Sequence, residues 1–415
     1  MSDTVEHHDV VIVGSGIAGS SLAFALARGG LDVLVLEESE TYPDRVRGET
    51  LMPWGAKEAQ TLGLEAAVLA AGGQYATRFI AYDEVFPPEA VEAAPMQLGR
   101  FMPGVPGFLN IPHPAHCQAL IDAAASAGAK VVRGAQVEEI EGGALPCVTF
   151  VADDQRTTAH ARLVVGADGR ASRTREALGI RLSADRPRDM LCGMLVESAD
   201  DWDPDVIAIG AEDKLCFCIF PLAEGRARLY GFWSLDDRNR FSGANGPAHF
   251  LSAYRLNCCP KAVAIAGARP AGPLVTYLNN ESSTEAPFVE GGVLVGDAAG
   301  WTDPIIGCGL ASAYRDARIV SQILLGSSDW SLEAFADYGA ERKERHRRIK
   351  FVSDVTTTLN TSFDQAGRDR RRRYFERAPT DPQVGGLAVA NLAGPEAQPP
   401  EFFTSAHRAY LLGPQ

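Results

Sequence analysis

The chain has 415 residues, of which 46% are hydrophobic and 22% are charged, so it can bury a large core, and its length predicts two intertwined domains. Its 39 basic and 53 acidic residues give a formal net charge of −14. An acidic chain repels the phosphates of nucleic acid and anionic membrane surfaces unless basic residues cluster locally, so we expect no nucleic-acid partner.

Cysteine usage and the amino terminus predict the compartment. Eight cysteines occur without CxxC spacing, which is typical of reduced, mostly buried thiols in a cytosolic protein. Cys216 and Cys218 alternate along a predicted strand, which places them on one face without any ligand, and we predict no metal site. The start of the chain has no positive n-region, and glycines interrupt the apolar stretch from Val10 to Ala27. We therefore expect no membrane span and a cytoplasmic protein.

The first chemical motif is a strand, a glycine turn and a helix. The β-branched run Asp9–Val13 suits a buried parallel strand, and the apolar run Ile17–Arg28 suits a helix. Between them lies the turn Gly14-Ser15-Gly16-Ile17-Ala18-Gly19. Gly14 permits the tight turn, Gly16 lets the backbone approach a pyrophosphate, and Gly19 permits close packing of the helix on the sheet. The pyrophosphate would meet the N–H groups at the start of the helix.

The second strand completes a dinucleotide-binding unit. The run Asp32–Leu36 ends at Glu37, and the carboxylate of Glu37, with Glu38 beside it, can bind the hydroxyls of an adenosine ribose. Because a carboxylate binds a free 2′-hydroxyl of the ribose, this position favours FAD or NAD over NADP. A tight turn that binds no ligand is the alternative.

Two later segments place an aspartate and glycines after a strand. Ala161–Gly169 is a predicted strand and turn that leads into Arg170–Arg175 and a short helix. Gly291–Asp297 is another predicted strand, and the glycine-rich loop after it leads into a helix over Ala311–Leu325. The carboxyl ends of strands are where open α/β sheets bind ligands.

With these segments the chain resembles the flavoprotein monooxygenases of the para-hydroxybenzoate hydroxylase fold, a superfamily that also contains flavin-dependent halogenases and geranylgeranyl reductases. The resemblance covers roughly the first 350 residues. It identifies Asp168, Gly169, Ser172 and Arg175 with the family's DG motif, and Gly296, Asp297 and Pro304 with its GD motif. It implies that Asp297 binds the ribityl chain of FAD. Ordinary roles in a turn for Asp168 and in a helix cap for Asp297 are the alternatives.

The resemblance also implies contacts with the flavin ring. The backbone from Gly307 to Leu310 would lie against the pyrimidine edge of the flavin, and the segment Arg47–Pro53 matches the family element that approaches it. A solvated loop is the alternative for that segment. The family often has an arginine at the start of the next helix, and here His113 takes that position, ahead of a predicted helix over His116–Ala127. The predicted cofactor-binding residues are Gly14, Gly16, Ile17, Ala18, Gly19, Glu37, Glu38, Arg47, Gly48, Glu49, His113, Asp168, Arg175, Gly296, Asp297, Pro304, Gly307, Gly309 and Leu310.

The predicted fold class is α/β, with a Rossmann-like FAD-binding domain and an inserted α+β substrate domain built on a mainly antiparallel sheet. We assign residues 1–73, 113–186 and 288–350 to the FAD-binding domain, 74–112 and 187–287 to the substrate domain, and 351–415 to a helical and irregular C-terminal tail. The stretches 215–221 and 227–233 predict a hairpin in the substrate domain. Its candidate pocket residues are Phe217, Ile219, Tyr230 and Phe232, for which plain core packing is the alternative.

The C-terminal part contains basic runs and a proline-rich stretch. Arg345–Lys350 and Arg368–Arg373 favour a solvated helix face over a site for the phosphate of NADPH or for an acidic partner. After Ala378 we expect irregular structure packed over the FAD-binding domain.

The predicted function is an FAD-dependent monooxygenase that uses O₂ and NAD(P)H to hydroxylate or epoxidise an apolar organic substrate, either aromatic or aliphatic. We find no evident catalytic acid or base, which agrees with a flavin that supplies the chemistry while the protein supplies orientation and a dry cavity. The alternatives are a halogenase, a reductase or desaturase of the same fold, and a non-catalytic flavin-binding protein. The halogenase is disfavoured because the chain has no WxWxIP signature and no lysine between Lys57 and Lys130. No second GxGxxG unit marks a nicotinamide domain, so NAD(P)H binds transiently or a separate reductase supplies reduced flavin.

Overall fold

The computed structural model describes residues 4–44, 46 and 48–413 of the chain. Helices and strands alternate through the first two thirds, and helices alone make up the last part. The strands are β1 Thr4–Val13, β2 Val33–Glu37, β3 Thr50–Leu51, β4 Gln74–Ala76, β5 Arg78–Asp83, β6 Met96–Gln97, β7 Phe108–Asn110, β8 Lys130–Arg133, β9 Gln136–Glu141, β10 Cys147–Ala152, β11 Gln155–Gly166, β12 Leu182–Ala184, β13 Asp189–Glu197, β14 Val206–Glu212, β15 Leu215–Leu222, β16 Arg226–Ser234, β17 Arg269–Pro270, β18 Val275–Asn279, β19 Ser282–Thr284, β20 Phe288–Val289 and β21 Gly292–Leu294. The α-helices are α1 Ile17–Arg28, α2 Pro53–Leu62, α3 Glu65–Ala70, α4 Pro88–Glu92, α5 His113–Ser126, α6 Arg173–Ala177, α7 Gly246–Ser252, α8 Val263–Ala266, α9 Gly309–Gly326, α10 Ala336–Asn360, α11 Gln365–Arg377, α12 Pro382–Leu392 and α13 Ser405–Leu412.

A sheet with parallel central strands organises the segments that carry the dinucleotide motifs. Its order is β20-β21-β11-β1-β2-β8, and β1 pairs in parallel with both β2 and β11. The predicted α/β fold with a Rossmann-type parallel sheet is therefore confirmed. The strands β1, β2, β11 and β21 end side by side, because Val13 pairs with Leu36 and with Gly166, and Gly166 pairs with Leu294. Their following loops, far apart in sequence, consequently meet at one edge of the sheet.

A second, mainly antiparallel sheet stands opposite that edge. Its order is β17-β13-β16-β15-β14-β5-β6, with β18 also paired to β13, and the β5–β14 pair is parallel. The hairpin β15–β16 pairs Cys218 with Tyr230 and Cys216 with Phe232, so these four residues share one face. The other face packs on α7 and α8 in a separate apolar core.

The region after residue 350 is more regular than expected. The helices α12 and α13 replace the predicted irregular structure after Ala378, so that expectation is wrong. Apolar residues of both helices explain the difference, because Leu387 and Leu411 are buried in the main core.

The basic runs are also only partly a solvated face. Arg345 is buried and pairs with Asp316, and the fully buried Arg371 pairs with Asp83 on β5. A buried guanidinium requires such carboxylate partners, and these lie far away in the sequence, where a charge run gives no hint of them.

Among residues 4–44, 46 and 48–413, no helix combines the length and the hydropathy needed to cross a membrane. The eight cysteines all lie in the described part of the chain, and each is buried.

Candidate active site

A cavity of about 740 Å³ lies between the edge of the parallel sheet and the antiparallel sheet. Its wall begins at the glycine turn after β1 and continues past the loops after β2, β11 and β21 to the face of β15 and β16 that carries Cys218 and Tyr230. One continuous space therefore connects the dinucleotide motifs with the antiparallel sheet, and its size is in the range of small-molecule and cofactor sites.

The glycine turn fits a bound pyrophosphate. Gly14 has φ +98°, and a Cβ there would lie 2.6 Å from the carbonyl oxygen of Ala167. A Cβ on Gly16 would meet no atom within 4 Å, so the space beside it is open. Gly16 is also the N-cap residue of α1 and provides no capping side chain, which leaves N–H groups at the helix start to bind an anion.

Gly19 has a different role from the other two glycines. It does not line the cavity, and a Cβ there would lie 2.0 Å from the carbonyl oxygen of Gly14. Glycine at this position lets α1 pack against the turn. Its inclusion among the direct cofactor contacts is therefore corrected.

Glu37 lies at the end of β2 and lines the cavity with Glu38. Its Oε2 accepts hydrogen bonds from the backbone N–H of Ser15 at 2.9 Å and the Ser15 hydroxyl at 2.8 Å. Its Oε1 accepts the N–H of Ser39 at 3.0 Å. A carboxylate has about four acceptor positions, so Glu37 is oriented by the turn and keeps acceptor capacity for a ribose hydroxyl.

Tyr42 is a neighbour of Glu37 that the sequence motifs did not indicate. Its hydroxyl lies 2.5 Å from the Ser15 hydroxyl, and its ring lies under the guanidinium of Arg133 at 4.6 Å. Burial raises the pKa of Tyr42 to about 12, so it stays a neutral wall of this end of the cavity.

Asp168 lines the cavity, but its carboxylate organises its own turn. Oδ1 accepts the hydroxyl of Ser172 at 2.5 Å, and Oδ2 accepts the N–H and the hydroxyl of Thr174 at 2.9 and 3.0 Å. The turn reading of Asp168 thus describes its hydrogen bonds well.

Arg175 is buried and does not line the cavity. Its guanidinium donates to the carbonyl oxygens of Ala298 at 3.0 Å and Arg170 at 3.2 Å, which joins the two loops behind the site. Its predicted direct cofactor contact is corrected to a supporting role. Sequence motifs cannot separate these roles, because a supporting arginine and a ligand-binding arginine can occupy the same position of the same motif.

Arg170 is a cavity residue that the prediction missed. Its Nε donates to Oδ2 of Asp297 at 3.3 Å, and its guanidinium lies over the ring of Trp301 at 5.2 Å. Arg173 lines the same wall. Both belong to the segment after Gly169, so the available signal was two cations directly after a strand predicted to end at the ligand-binding edge of the sheet.

The loop after β21 brings a second helix start to the cavity. Gly296, Asp297 and Pro304 line the wall, followed by Gly307, Gly309 and Leu310. The helix α9 has no capping side chain at its N-terminus and no acidic residue in its first turn. Its N–H groups and dipole can therefore stabilise negative charge at this end of the cavity.

Gly48, Glu49 and His113 lie where the loop before β3 meets the antiparallel sheet. A Cβ on Gly48 would be 3.0 Å from Nδ1 of His113 and 3.3 Å from the side chain of Leu310. All three predicted residues line the cavity. Arg47 lies outside the described residues.

The antiparallel sheet presents a different face from the one expected. Tyr230 and Phe232 line the cavity, whereas Phe217 and Ile219 are buried in the core on the opposite face of the sheet. The prediction of Phe217 and Ile219 as pocket residues is wrong, because side chains alternate along β15 and pairing puts Cys218, not Phe217, beside Tyr230. Phe220 is the aromatic residue of β15 on the correct face.

The C-terminal helices add a wall that was not predicted. Asn391 and Leu392 of α12 and Thr356 and Asn360 of α10 line the cavity. The indole N–H of Trp54 donates to the carbonyl oxygen of Asn391 at 3.1 Å, which holds α12 in place. No motif in the tail marks this contact.

Comparison with known proteins shows which dinucleotide the chain binds. The model of a family described as the FAD binding domain matches residues 7–350. The chain belongs to this FAD binding domain family. It is an FAD-dependent oxidoreductase with FAD as its cofactor, as predicted.

Two curated relatives of this FAD-dependent oxidoreductase are enzymes. It is 26% identical over 384 residues to a squalene epoxidase of Schizosaccharomyces pombe, which covers 86% of this chain and 77% of the relative. It is also 26% identical over 403 residues to a digeranylgeranylglycerophospholipid reductase of Methanocella arvoryzae, with 93% and 97% coverage.

Solved structures show the same fold at lower identity. The p-nitrophenol 4-monooxygenase PnpA of Pseudomonas putida superposes with a TM-score of 0.79 at 18% identity and covers 95% of this chain and 99% of its own. The flavin-dependent brominase Bmp2 superposes with a TM-score of 0.75 at 16% identity, with 97% and 99% coverage. The resemblance to the para-hydroxybenzoate hydroxylase fold is thereby confirmed.

The chain's own residues fit FAD. The open space at Gly16, the uncapped starts of α1 and α9, and the cations Arg170 and Arg173 together suit a long anionic dinucleotide.

Proposed function

We propose that this oxidoreductase is a monooxygenase that inserts one oxygen atom from O₂, by hydroxylation or epoxidation, into an apolar organic substrate, with NAD(P)H as reductant. The observation that carries the proposal is the continuous cavity, which joins the dinucleotide loops to an apolar face of the antiparallel sheet. The apolar residues on that side are Phe79, Met96, Phe108, Leu191, Ile209, Phe220, Phe232, Leu278 and Leu392. A substrate bound there would be apolar and shielded from water.

The proposed cofactor contacts follow the order of the loops. The turn Gly14–Ala18 binds the pyrophosphate, and Glu37 with Glu38 binds the adenosine ribose. Asp297 and Pro304 lie along the ribityl chain. The remaining contacts, at the flavin end, are Gly48, Glu49, His113, Gly296, Gly307, Gly309 and Leu310.

When bound in this position, FAD would accept a hydride from NAD(P)H and activate O₂. The chain's residues bind, orient and exclude water. The start of α9 stabilises negative charge at the flavin end, and the aromatic face of β15 and β16 orients the substrate.

A reductase is the second candidate, because the chain is similar to a digeranylgeranylglycerophospholipid reductase over nearly the whole length of both proteins. Both candidates use an apolar substrate, and they differ in whether oxygen or hydrogen is added.

A halogenase receives less support. No lysine is among the described residues that line the cavity, and Lys57 is exposed on α2. Arg78 pairs with Asp203 and Asp205 and does not line the cavity. An amine of the kind that halogenases of this fold use is therefore absent from the described wall.

The test is to mix FAD-loaded protein anaerobically with NADPH or NADH, record the flavin absorbance, and then admit ¹⁸O₂ with an apolar substrate such as 2-naphthol. We expect bleaching of the flavin and one ¹⁸O atom in the product. If photochemically reduced protein gives the labelled product but neither nucleotide bleaches the flavin, a separate reductase is the electron source. A product that gains two hydrogens without oxygen would instead support the reductase.

A further inference from the structure

A carboxyl group and a phenol meet on the cavity wall where the loop before β3 reaches the antiparallel sheet. Glu49 is 1% exposed, and Tyr230 projects from β16 into the same cavity. The phenol of Tyr230 donates a short hydrogen bond to Oε2 of Glu49. The pair thus interrupts a wall that is otherwise formed largely by apolar side chains.

The buried guanidinium of Arg228 holds the carboxyl group from behind. Its Nη2 lies 3.1 Å from Oε1 of Glu49 and donates to both carboxylate oxygens of Asp44, at 2.8 and 2.7 Å. Arg228 itself is 1% exposed and does not line the cavity. Glu49 is therefore fixed by two neighbours on one strand while part of it faces the cavity.

The hydrogen bond within the pair determines what it can recognise. Since the proton of Tyr230 is used to hold Glu49, the ionised pair offers the cavity acceptors: the carboxylate and the remaining lone pair of the phenol oxygen. A substrate that brings a hydrogen-bond donor satisfies these acceptors. A purely apolar molecule leaves a desolvated carboxylate facing hydrocarbon, which is costly.

We propose that Glu49 and Tyr230 bind a hydrogen-bond donor of the substrate, a hydroxyl or an aromatic N–H, and so make the enzyme selective for apolar molecules that carry such a group. This inference rests on the proposed function, because it takes the cavity face of β15 and β16 as the substrate site. It adds a polar anchor to a site otherwise defined by size and hydrophobicity.

The electrostatic surroundings make this recognition depend on pH. Burial raises the pKa of Glu49, and Arg228 and Tyr230 lower it in part, while Asp44 raises it further. His113 of α5 faces the adjoining Gly48. Protonation of Glu49 removes an acceptor, so preference for a donor should fall as the pH falls through the raised pKa.

The test measures binding without turnover. Oxidised, FAD-loaded protein is titrated with 2-naphthol and with 2-methoxynaphthalene, and the dissociation constants are taken from the change in flavin absorbance or fluorescence. We expect the wild type to prefer 2-naphthol by about tenfold, as for one hydrogen bond to a charged group. Glu49→Gln places an amide donor in the pair and should bring the ratio near one.

Two further variants separate this effect from general damage. Tyr230→Phe should lower the ratio, and Phe232→Leu, which changes the same face of the same strand, should weaken both ligands alike and leave the ratio intact. The ratio should also fall at acid pH in the wild type and stay flat in Glu49→Gln. If Glu49→Gln does not fold, the pH profile of the wild type and Tyr230→Phe still decide the matter.

Equal affinity for the two ligands in the wild type, or an unchanged ratio in Glu49→Gln, would overturn the inference. Neither result bears on oxygen insertion, because no reductant or turnover is involved. Conversely, failure of the ¹⁸O₂ experiment with an intact binding preference would reject the monooxygenase proposal and leave the polar anchor in place.

Discussion

The two ends of the cavity are built in different ways. At the dinucleotide end, short loops that follow parallel strands supply the wall, and each loop carries its own residue pattern, as in the turn from Gly14 to Gly19. At the proposed substrate end, the wall is the face of an antiparallel sheet closed by side chains of α10 and α12. Local pattern therefore defines the first end, while strand register and tertiary packing define the second.

The largest effect that would test this contrast concerns how the C-terminal helices are held on the substrate end. Arg371 of α11 is fully buried against Asp83 and Glu84. Replacing Arg371 with Met leaves a buried carboxylate without its partner and should lower the free energy of unfolding by about 3–5 kcal/mol. The exposed neighbour Arg372, also replaced with Met, should change it by less than about 0.5 kcal/mol. Urea denaturation of both variants measures the difference, and equal losses would show that the buried pair does not anchor α11.

At the dinucleotide end, two neighbouring glycines should respond differently to one methyl group. Gly14→Ala combines φ +98° with a contact of 2.6 Å to a backbone oxygen, so it should cost about 3 kcal/mol of stability and most FAD binding. Gly16→Ala points into open space and should leave apoprotein stability within about 0.5 kcal/mol while weakening FAD. Denaturation of the apoproteins and titration with FAD separate the two. A stable Gly14→Ala protein that binds FAD normally would contradict the assigned turn.

The buried Asp189, which does not line the cavity, makes the stability of the protein depend on pH. Burial, reinforced by the nearby Asp303, raises the pKa of Asp189 from its ordinary 3.8 to about 7. The folded state then binds the proton more tightly than the unfolded state, so this group reduces stability as the pH rises from about 4 to about 7.

Asp189→Asn removes that titration while keeping an acceptor for the amide of Asn279. It should raise the free energy of unfolding by about 2 kcal/mol at pH 8, with the gain disappearing near pH 4. Thermal unfolding across this range checks the prediction, and a gain that is independent of pH would refute it.

The smallest effect tests the register of the substrate sheet. Phe217→Leu should cost about 1 kcal/mol of stability and leave binding of an apolar ligand unchanged, because Phe217 faces the outer core. Phe232→Leu should change ligand affinity, because Phe232 lines the cavity. Ligand titration and denaturation of both variants distinguish the faces, and altered affinity in Phe217→Leu alone would reverse the assignment.

The sequence predicted the dinucleotide end to a large extent. Gly14, Glu37 and Asp297 lie at or just after the carboxyl ends of predicted strands, and a parallel sheet brings such positions together at one edge. Arg175 and Gly19 belong to the correctly predicted motifs, but they support the loops and do not line the cavity. A motif does not show whether a residue contacts the ligand or supports the loop that does.

The substrate end could be predicted only in outline. An antiparallel hairpin was expected, but Phe217 was placed on the wrong face because a strand that is buried on both faces shows no polar alternation from which to read its register. The wall from α12 was missed altogether, since it depends on packing between segments more than 300 residues apart, as in the Trp54–Asn391 contact. Such contacts leave no local pattern.

The most direct measurement is a crystal structure of the FAD-loaded protein with 2-naphthol bound. We expect the pyrophosphate at Gly14–Ala18, the adenosine ribose at Glu37, the flavin ring beside Leu310, and the naphthol hydroxyl within hydrogen-bond distance of Glu49 or Tyr230. A flavin ring outside the shared cavity, or a ligand bound away from β15 and β16, would contradict this arrangement.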